Sequence, residues 1–197
     1  MVTSGFSRIH VAKYAADGAA VTYSGCKELA RAKSMTTEIT ASEDNHFYAN
    51  NQIAETEPAS FKSGTVKVVV DGLNAEEEAL ILGLTESTVT VGEDEVPVVQ
   101  YGADMNAPYL GLGAIKRMQL NNIVSYRPII LTKIRFAIPG DSAETQEDVI
   151  GWQTQELSAT ILRDDTANHN WKMIPKQNFE TEEAAIAFIQ AVLGGAA

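Results

Sequence analysis

The side chains able to do chemistry are few in this sequence, and their spacing withholds most of the familiar reactions. His10, His46 and His169 have no partner histidine at i, i+4 and no H-E-x-x-H pattern, so neither a helical zinc pair nor a base beside a metal is encoded. Nothing in the sequence resembles a catalytic triad. The single cysteine, Cys26, excludes an intrachain disulfide and a Cys-based zinc site, and the fold therefore does not depend on an oxidising compartment. Gly111-Leu112-Gly113 begins like a dinucleotide fingerprint, but Lys116 occupies the third glycine position and no helix pattern follows. These glycines are expected to serve a bulge or a close backbone approach in a strand. Asp141, Glu144, Glu147 and Asp148 have the oxygens a hard cation such as calcium prefers, yet their spacing matches no EF-hand loop and they read as a solvated acidic loop. Tyr101, Tyr109, Tyr126, Trp152 and Trp171 are scattered singly, which favours packing over a stacking platform for bases. The expectation is a protein that is not an enzyme and takes no cofactor or metal.

Charge is the more informative chemistry. Val68 to Ile115 spans 48 residues with nine acids (Asp71, Glu76, Glu77, Glu78, Glu86, Glu93, Asp94, Glu95, Asp104) and no Lys, Arg or His. Lys116 to Arg135 then carries five bases (Lys116, Arg117, Arg127, Lys133, Arg135) and no acid. Ordinary soluble surfaces intersperse the two signs, so this sorting implies a field aimed at something charged, or two faces that pair between subunits. The net charge of −11 argues against a dedicated nucleic-acid binder, which needs a basic footprint.

The elements that must position these groups are mostly strands. At 197 residues, 45% of them hydrophobic, the chain suits one compact domain spanning 1–197. No run of 18 apolar residues is present to span a membrane, and the Met1-Val2-Thr3-Ser4-Gly5 start lacks the pattern of a signal peptide, so a cytosolic site of synthesis and assembly is expected. Ile9 and Val11, a turn at Ala15-Ala16-Asp17-Gly18, and Ala19 to Tyr23 read as a hairpin. Val66, Val68 and Val70 mark one buried strand face. Ile130, Thr132, Ile134, Phe136 and Ile138 form a mostly apolar face opposite Leu131, Lys133, Arg135 and Ala137, and Leu157, Ala159 and Ile161 repeat the pattern. Val89, Val91, Val96, Val98 and Val99 read as two short strands around Gly92-Glu93-Asp94-Glu95. A short helix is capped by Asn74 and Glu77, has apolar positions at Ala79, Leu80 and Leu82, and stops at Gly83. A second starts at Thr181, carries an apolar stripe at Ala185, Ile186, Ile189, Val192 and Leu193, ends at Gly194-Gly195, and should lie flat on a sheet. Residues 34–63 are polar without a sustained period and read as an extended loop or arm.

A resemblance adds to this reading. Tyr48-Ala49-Asn50-Asn51, the strand Gly111-Leu112-Gly113-Ala114-Ile115-Lys116, Glu144 to Thr154 leading into Leu157-Ser158-Ala159-Thr160-Ile161, and the closing Trp171, Phe179 and amphipathic helix, in that order, resemble the major tail proteins (tail tube proteins) of long-tailed, siphovirus-type bacteriophages. Asn50 stands where family members often carry Asp. The resemblance implies a mainly β (α+β) fold, a β-sandwich or half-barrel of the tail tube type with a short helix and a C-terminal amphipathic helix. It also implies a structural virion protein whose hexameric rings stack into a tube for DNA ejection. Partners would be further copies of the chain, the tape measure, tail terminator and distal tail proteins, and passing DNA that is not specifically bound. The place would be the virion tail, assembled in the bacterial host cytoplasm.

Two expectations join the charge pattern to that role. An acidic lining repels DNA, which carries one negative charge per roughly 1.7 Å of axis, so Asp71, Glu86, Glu93, Asp94, Glu95 and Asp104 are candidates to face the lumen. Lys116, Arg117, Arg127, Lys133 and Arg135 are candidate bases between subunits. Alternatives are the inner tube of a contractile tail or injection machine, a tail terminator, or a monomeric β-sandwich module for a carbohydrate or small ligand, which would need a concave aromatic cluster.

Overall fold

Alternating apolar residues make strands, and the reach of each short connection decides which strands can pair. The computed structural model describes residues 1–140 and 154–194. β1 (Val2–Asp17) turns at residues 18–19 into β2 (Ala20–Glu28), which is the expected amino-terminal hairpin, and β3 (Ala32–Ala41) follows after three residues. Then come β4 (Asn45–Ala49), β5 (Gln52–Glu57), β6 (Phe61–Val70), α1 (Ala75–Leu82), β7 (Thr85–Val91) and β8 (Asp94–Gln100). The rest is β9 (Leu110–Leu120), β10 (Ile123–Phe136), β11 (Gln155–Leu162), β12 (Lys172–Met173) and α2 (Glu182–Val192). The fold is mainly β with two short helices.

The main sheet is antiparallel in the order β2-β1-β9-β10-β11-β6-β3, with β12 also on β10. Its two edge strands, β2 and β3, are consecutive in the chain. Laid flat, the six steps between them would separate those edges by about 29 Å, at roughly 4.8 Å per step. The link of residues 29–31 spans at most about 15 Å. The sheet therefore curls until its edges meet at that corner. Hydrogen bonds seal it on both sides: the Leu29 amide donates to the Ile9 carbonyl at 2.8 Å, and the Asp71 amide donates to the Arg31 carbonyl at 3.1 Å.

Inside the curl lies the larger core, where Ile9, Val11, Leu29, Val66, Val68, Val70, Leu112, Ile134 and Ile161 are fully buried. Each such side chain contributes roughly 1.5–3 kcal/mol over an exposed one. The valine face of β6 and the Leu157, Ala159, Ile161 face of β11 are buried as their alternation requires. α1 closes one part of this core with Ile81 and Leu82. Its start is the expected capping box: the Glu77 amide donates to the Asn74 side chain at 3.0 Å and the Asn74 amide to Glu77 Oε2 at 2.8 Å. Gly83 ends it in the left-handed region at φ 66.

The outer face of β9 and β10 carries α2, whose Ala185 and Ile189 are buried with Leu193 against Ala12, Ile115 and Ile130. Gly111 and Gly113 make this contact. A Cβ on Gly111 would stand 2.6 Å from the Tyr23 ring and 2.7 Å from Leu193, and one on Gly113 would fall on Ile189. The close backbone approach expected of these glycines is therefore to a helix.

Two expectations need correction. β10 does not keep one apolar and one polar face, because Ile129, Ile130, Leu131 and Thr132 are all buried, Leu131 in the inner core and Ile130 under α2. An irregularity between Leu131 and Ile134 then shifts the register, and Ile138 lies beyond the strand, exposed. Residues 34–63 are not an irregular loop either; they hold most of β3, all of β4 and β5, and the start of β6. β3 pairs with β6 as far as Ala41 and Phe61, and the β4–β5 hairpin continues beyond, joined by the Ser42 amide to the Ser60 carbonyl at 2.8 Å. Both faces of β4 and β5 are largely exposed, and their few apolar residues do not alternate, so no pattern announces them.

Candidate assembly interface

The groups with catalytic potential are held in structural roles. His10 is buried on β1 with no hydrogen-bond partner for Nδ1, and burial pushes its pKa below 6.5, so it is neutral. Asp164 is buried and occupied locally: its Oδ1 accepts from the Thr166 hydroxyl at 2.5 Å and the Thr166 amide at 3.2 Å. His169 Nδ1 lies 3.2 Å from the Asp164 carbonyl, and His46 Nδ1 lies 3.0 Å from Thr56 Oγ1 on the arm. Cys26 is half-buried beneath α2, and burial raises its thiol pKa, which keeps it from acting as a thiolate. Among the described residues no group of three or more His, Cys, Asp or Glu is placed to hold a metal ion. Asp141, Glu144, Glu147, Asp148 and Trp152 lie outside the described residues, as does Gly195. A groove of about 660 Å³ runs between α1, β8 and residues 106–108, lined by Lys13, Lys27, Glu76, Glu86, Val98 and Asn106 among others, with no aromatic ring in its wall.

The expected aromatic scatter is only partly so. Tyr109 meets Tyr14 edge-on, with centroids 6.5 Å apart, and Trp171 stacks on Phe61 at 4.7 Å. Lys133 sits over both tyrosines, 5.0 Å from the Tyr14 centroid and 4.6 Å from that of Tyr109. Its Nζ donates to Asp165 Oδ2 at 2.6 Å, and the Tyr14 hydroxyl donates to the same oxygen at 2.7 Å. Lys133 first, then Tyr14, hold the Asp165 carboxyl below its ordinary range, while burial and Asp165 push the Tyr14 hydroxyl up to about 12. This cluster joins β1, β10 and residue 165, and nothing in the linear sequence brings those three together.

The six candidate lumenal acids fall in three places. Asp71, at the end of β6, is paired with Arg31 Nε at 2.5 Å. Asp104 is exposed in the connection before β9. Glu86, Glu93, Asp94 and Glu95 share the β7–β8 hairpin, the last three at its tip, where Gly92 takes φ 67 and Val91 pairs with Asp94. The five candidate bases divide as well. Lys133 is taken up by Asp165, and Arg135 donates to Asn106 Oδ1 at 2.6 Å. Among the described residues the Arg117 side chain donates to the Ser4 hydroxyl, at 3.0 Å, and that of Arg127 to the neutral Asn178, at 2.8 Å. Lys116 and Arg127 are directly opposite on β9 and β10, and no carboxylate pairs with either among the described residues.

What remains open is backbone and apolar surface. β2 and β3 each have one edge with no strand against it among the described residues, and β4–β5 and β7–β8 are separate two-stranded sheets. The β4–β5 hairpin turns at Asn50 and Asn51, φ 53 and 64, as a type I′ turn requires, and exposes Phe47, Tyr48 and Ile53. The polar composition of residues 34–63 masked this cluster in the sequence, although Tyr48-Ala49-Asn50-Asn51 is its tip. On β7–β8, Val89 and Val96 are paired on one face with Val91, and all three are exposed.

No helix among the described residues is long and apolar enough to cross a membrane. No protein-family model matches the chain, and comparison with curated proteins finds no similar sequence.

Proposed function

We propose that this chain is the repeating subunit of a tail tube, a structural virion protein that forms rings and stacks them around the path of DNA. The observation that carries the reading is incompleteness. A folded core is present, yet the described residues leave two sheet edges unpaired, two hairpins with exposed apolar side chains, and cations with no carboxylate partner among them. Exposed edges and apolar strands are aggregation hazards in a protein that works alone, and subunits of closed assemblies join them. The order of motifs shared with major tail proteins favours the same role. Because every copy adds a charge of −11, a homopolymer is acidic overall and repels the DNA it conducts. On this reading the tape measure, terminator and distal tail proteins are neighbours in the virion tail, and assembly takes place in the bacterial cytoplasm. The groove beside α1 lacks the aromatic platform of a carbohydrate module, which weighs against that alternative.

Negative-stain electron microscopy of the purified protein, alone and with a tape measure protein, tests the proposal. Rings or striated tubes are expected. A species that stays near 21.3 kDa in sedimentation at millimolar concentration, with or without such a partner, would overturn it.

A further inference from the structure

The geometry points to one specific contact between copies: the β7–β8 hairpin of one subunit seats on the β9–β10 ribbon of the next, through Lys116, Arg127, Leu120 and Ile123. This rests on the tube reading and names the surfaces that it uses.

The receiving surface has an unusual composition. The register from Ile123↔Leu120 to Arg127↔Lys116 is unbroken, so these four residues lie on a single face. On the rung between them Met118 is buried and Ser125 accepts from Asn178 Nδ2 at 3.0 Å, and Lys116 and Arg127 are half-buried. Leu120 and Ile123 are exposed, Ile123 to 72%. Lys116 and Arg127 are like charges on one rung, an arrangement that destabilises a sheet unless an anion covers it. Lys172, on β12 opposite Leu131, extends the same face. Burial, and then the charge of Lys116, push its pKa down, as expected where cations crowd together with no carboxylate between them.

The hairpin is the complement in both respects. Val89 and Val96 form an exposed apolar rung, the Val91–Asp94 rung lies beyond it on the same face, Glu93 is in the turn, and Glu95, opposite Thr90, adds charge from the other face of the tip. No ion pair engages these acids among the described residues. The two surfaces do not meet within one chain. The base of the hairpin borders the groove at Lys13 and Pro108, beside the Leu110 end of β9, whereas the ribbon turns at residues 121–122, ten residues and about 34 Å further along. A surface and its complement on different parts of one molecule make a head-to-tail contact between copies, which closes a ring or propagates a stack. DNA phosphate is the poorer occupant, because the cations are rimmed by exposed aliphatic side chains and the chain is strongly acidic.

Charge reversal tests the pairing in both directions. E93K/D94K/E95K and K116E/R127E, each verified as folded by circular dichroism, are each expected to raise the protein concentration needed for polymer by roughly tenfold or more. An equimolar mixture of the two restores polymer, since each supplies the surface that the other has lost. Combining both sets in one chain does the same. Tubes that form normally with the tip reversed but eject DNA slowly would overturn the contact and place Glu93, Asp94 and Glu95 in the lumen. Failure of the mixture to rescue, or loss of duplex DNA binding as the only effect of K116E/R127E, would also overturn it. In all these outcomes the tube reading stands. Wild-type protein that never polymerises removes both.

Discussion

At the scale of single residues, the clearest consequences come from groups with no room or no partner. His10 is buried and neutral, with a folded pKa below the unfolded 6.5. Between those two values the unfolded chain binds a proton that the folded chain refuses, so stability falls as pH drops below about 6.5. His10→Leu removes this component without stranding a donor. Urea titrations from pH 7.5 to 5 should therefore show a shallower acid loss in the variant, the difference not exceeding about 1.4 kcal/mol per pH unit. Gly113 carries the opposite constraint. Gly113→Ala drives a methyl into Ile189 and should cost roughly 1–3 kcal/mol, while Ile189→Ala alone should cost about 2–5. The double variant should cost less than the sum, and a urea-melt cycle with additive effects would remove Ile189 as the reason for the glycine. The sequence disclosed that Gly111 and Gly113 bring backbone close to something, since they interrupt an apolar strand. It did not disclose what, because the helix that rests on them begins 69 residues after Gly113.

Elements differ in how openly they are written. α1 and α2 are local objects, so the Asn74 box and the Thr181 cap announce them within a few residues. Asn74→Ala, which removes the side-chain acceptor of the Glu77 amide and leaves the bond from the residue-74 amide to Glu77 in place, should cost about 1 kcal/mol by thermal or urea melting. β6 and β11 are as plain, because one face is buried and the other is not. β10 misled because its central residues are covered on both sides, by the inner core and by α2, so apolar residues run consecutively and hide a register shift. The arm misled for the opposite reason: with both faces in solvent, the few apolar residues of β4 and β5, Phe47, Tyr48 and Ile53, form no alternating buried face to betray the strands. Its connection gives a clean test. Ser42 and Ser60 are hydrogen-bonded neighbours, so replacing residues 43–59 by Asn-Gly continues the β3–β6 ladder through a tight turn. The shortened protein should melt within a few degrees of wild type. If the arm locks one ring to the next, electron microscopy should then show rings without long tubes; unshortened tubes would free the arm from that role.

For the whole molecule, the sorted charge is legible in the sequence, but its destination depends on tertiary pairing. Of five bases in one segment, Lys133 is neutralised by Asp165, whose position follows from tertiary pairing alone, whereas Arg117, Arg127 and Arg135 meet the neutral Ser4, Asn178 and Asn106. Lys116 and Arg127 remain on the β9–β10 face, and the hairpin acids on β7–β8. Association through such surfaces is screened by salt, so sedimentation should show less polymer at 1 M than at 0.1 M ionic strength, where the Debye length is about 3 Å instead of about 10 Å. Insensitivity to salt would assign cohesion to the apolar rungs and strand edges. Two distinct surfaces also give a growing polymer a direction. A copy with K116E/R127E still offers a sound hairpin, so it can join an existing end, but nothing can join it in turn. It acts as a chain terminator, and a minority of such copies expressed beside wild type should poison most assemblies, a dominant effect that simple loss of function would not produce.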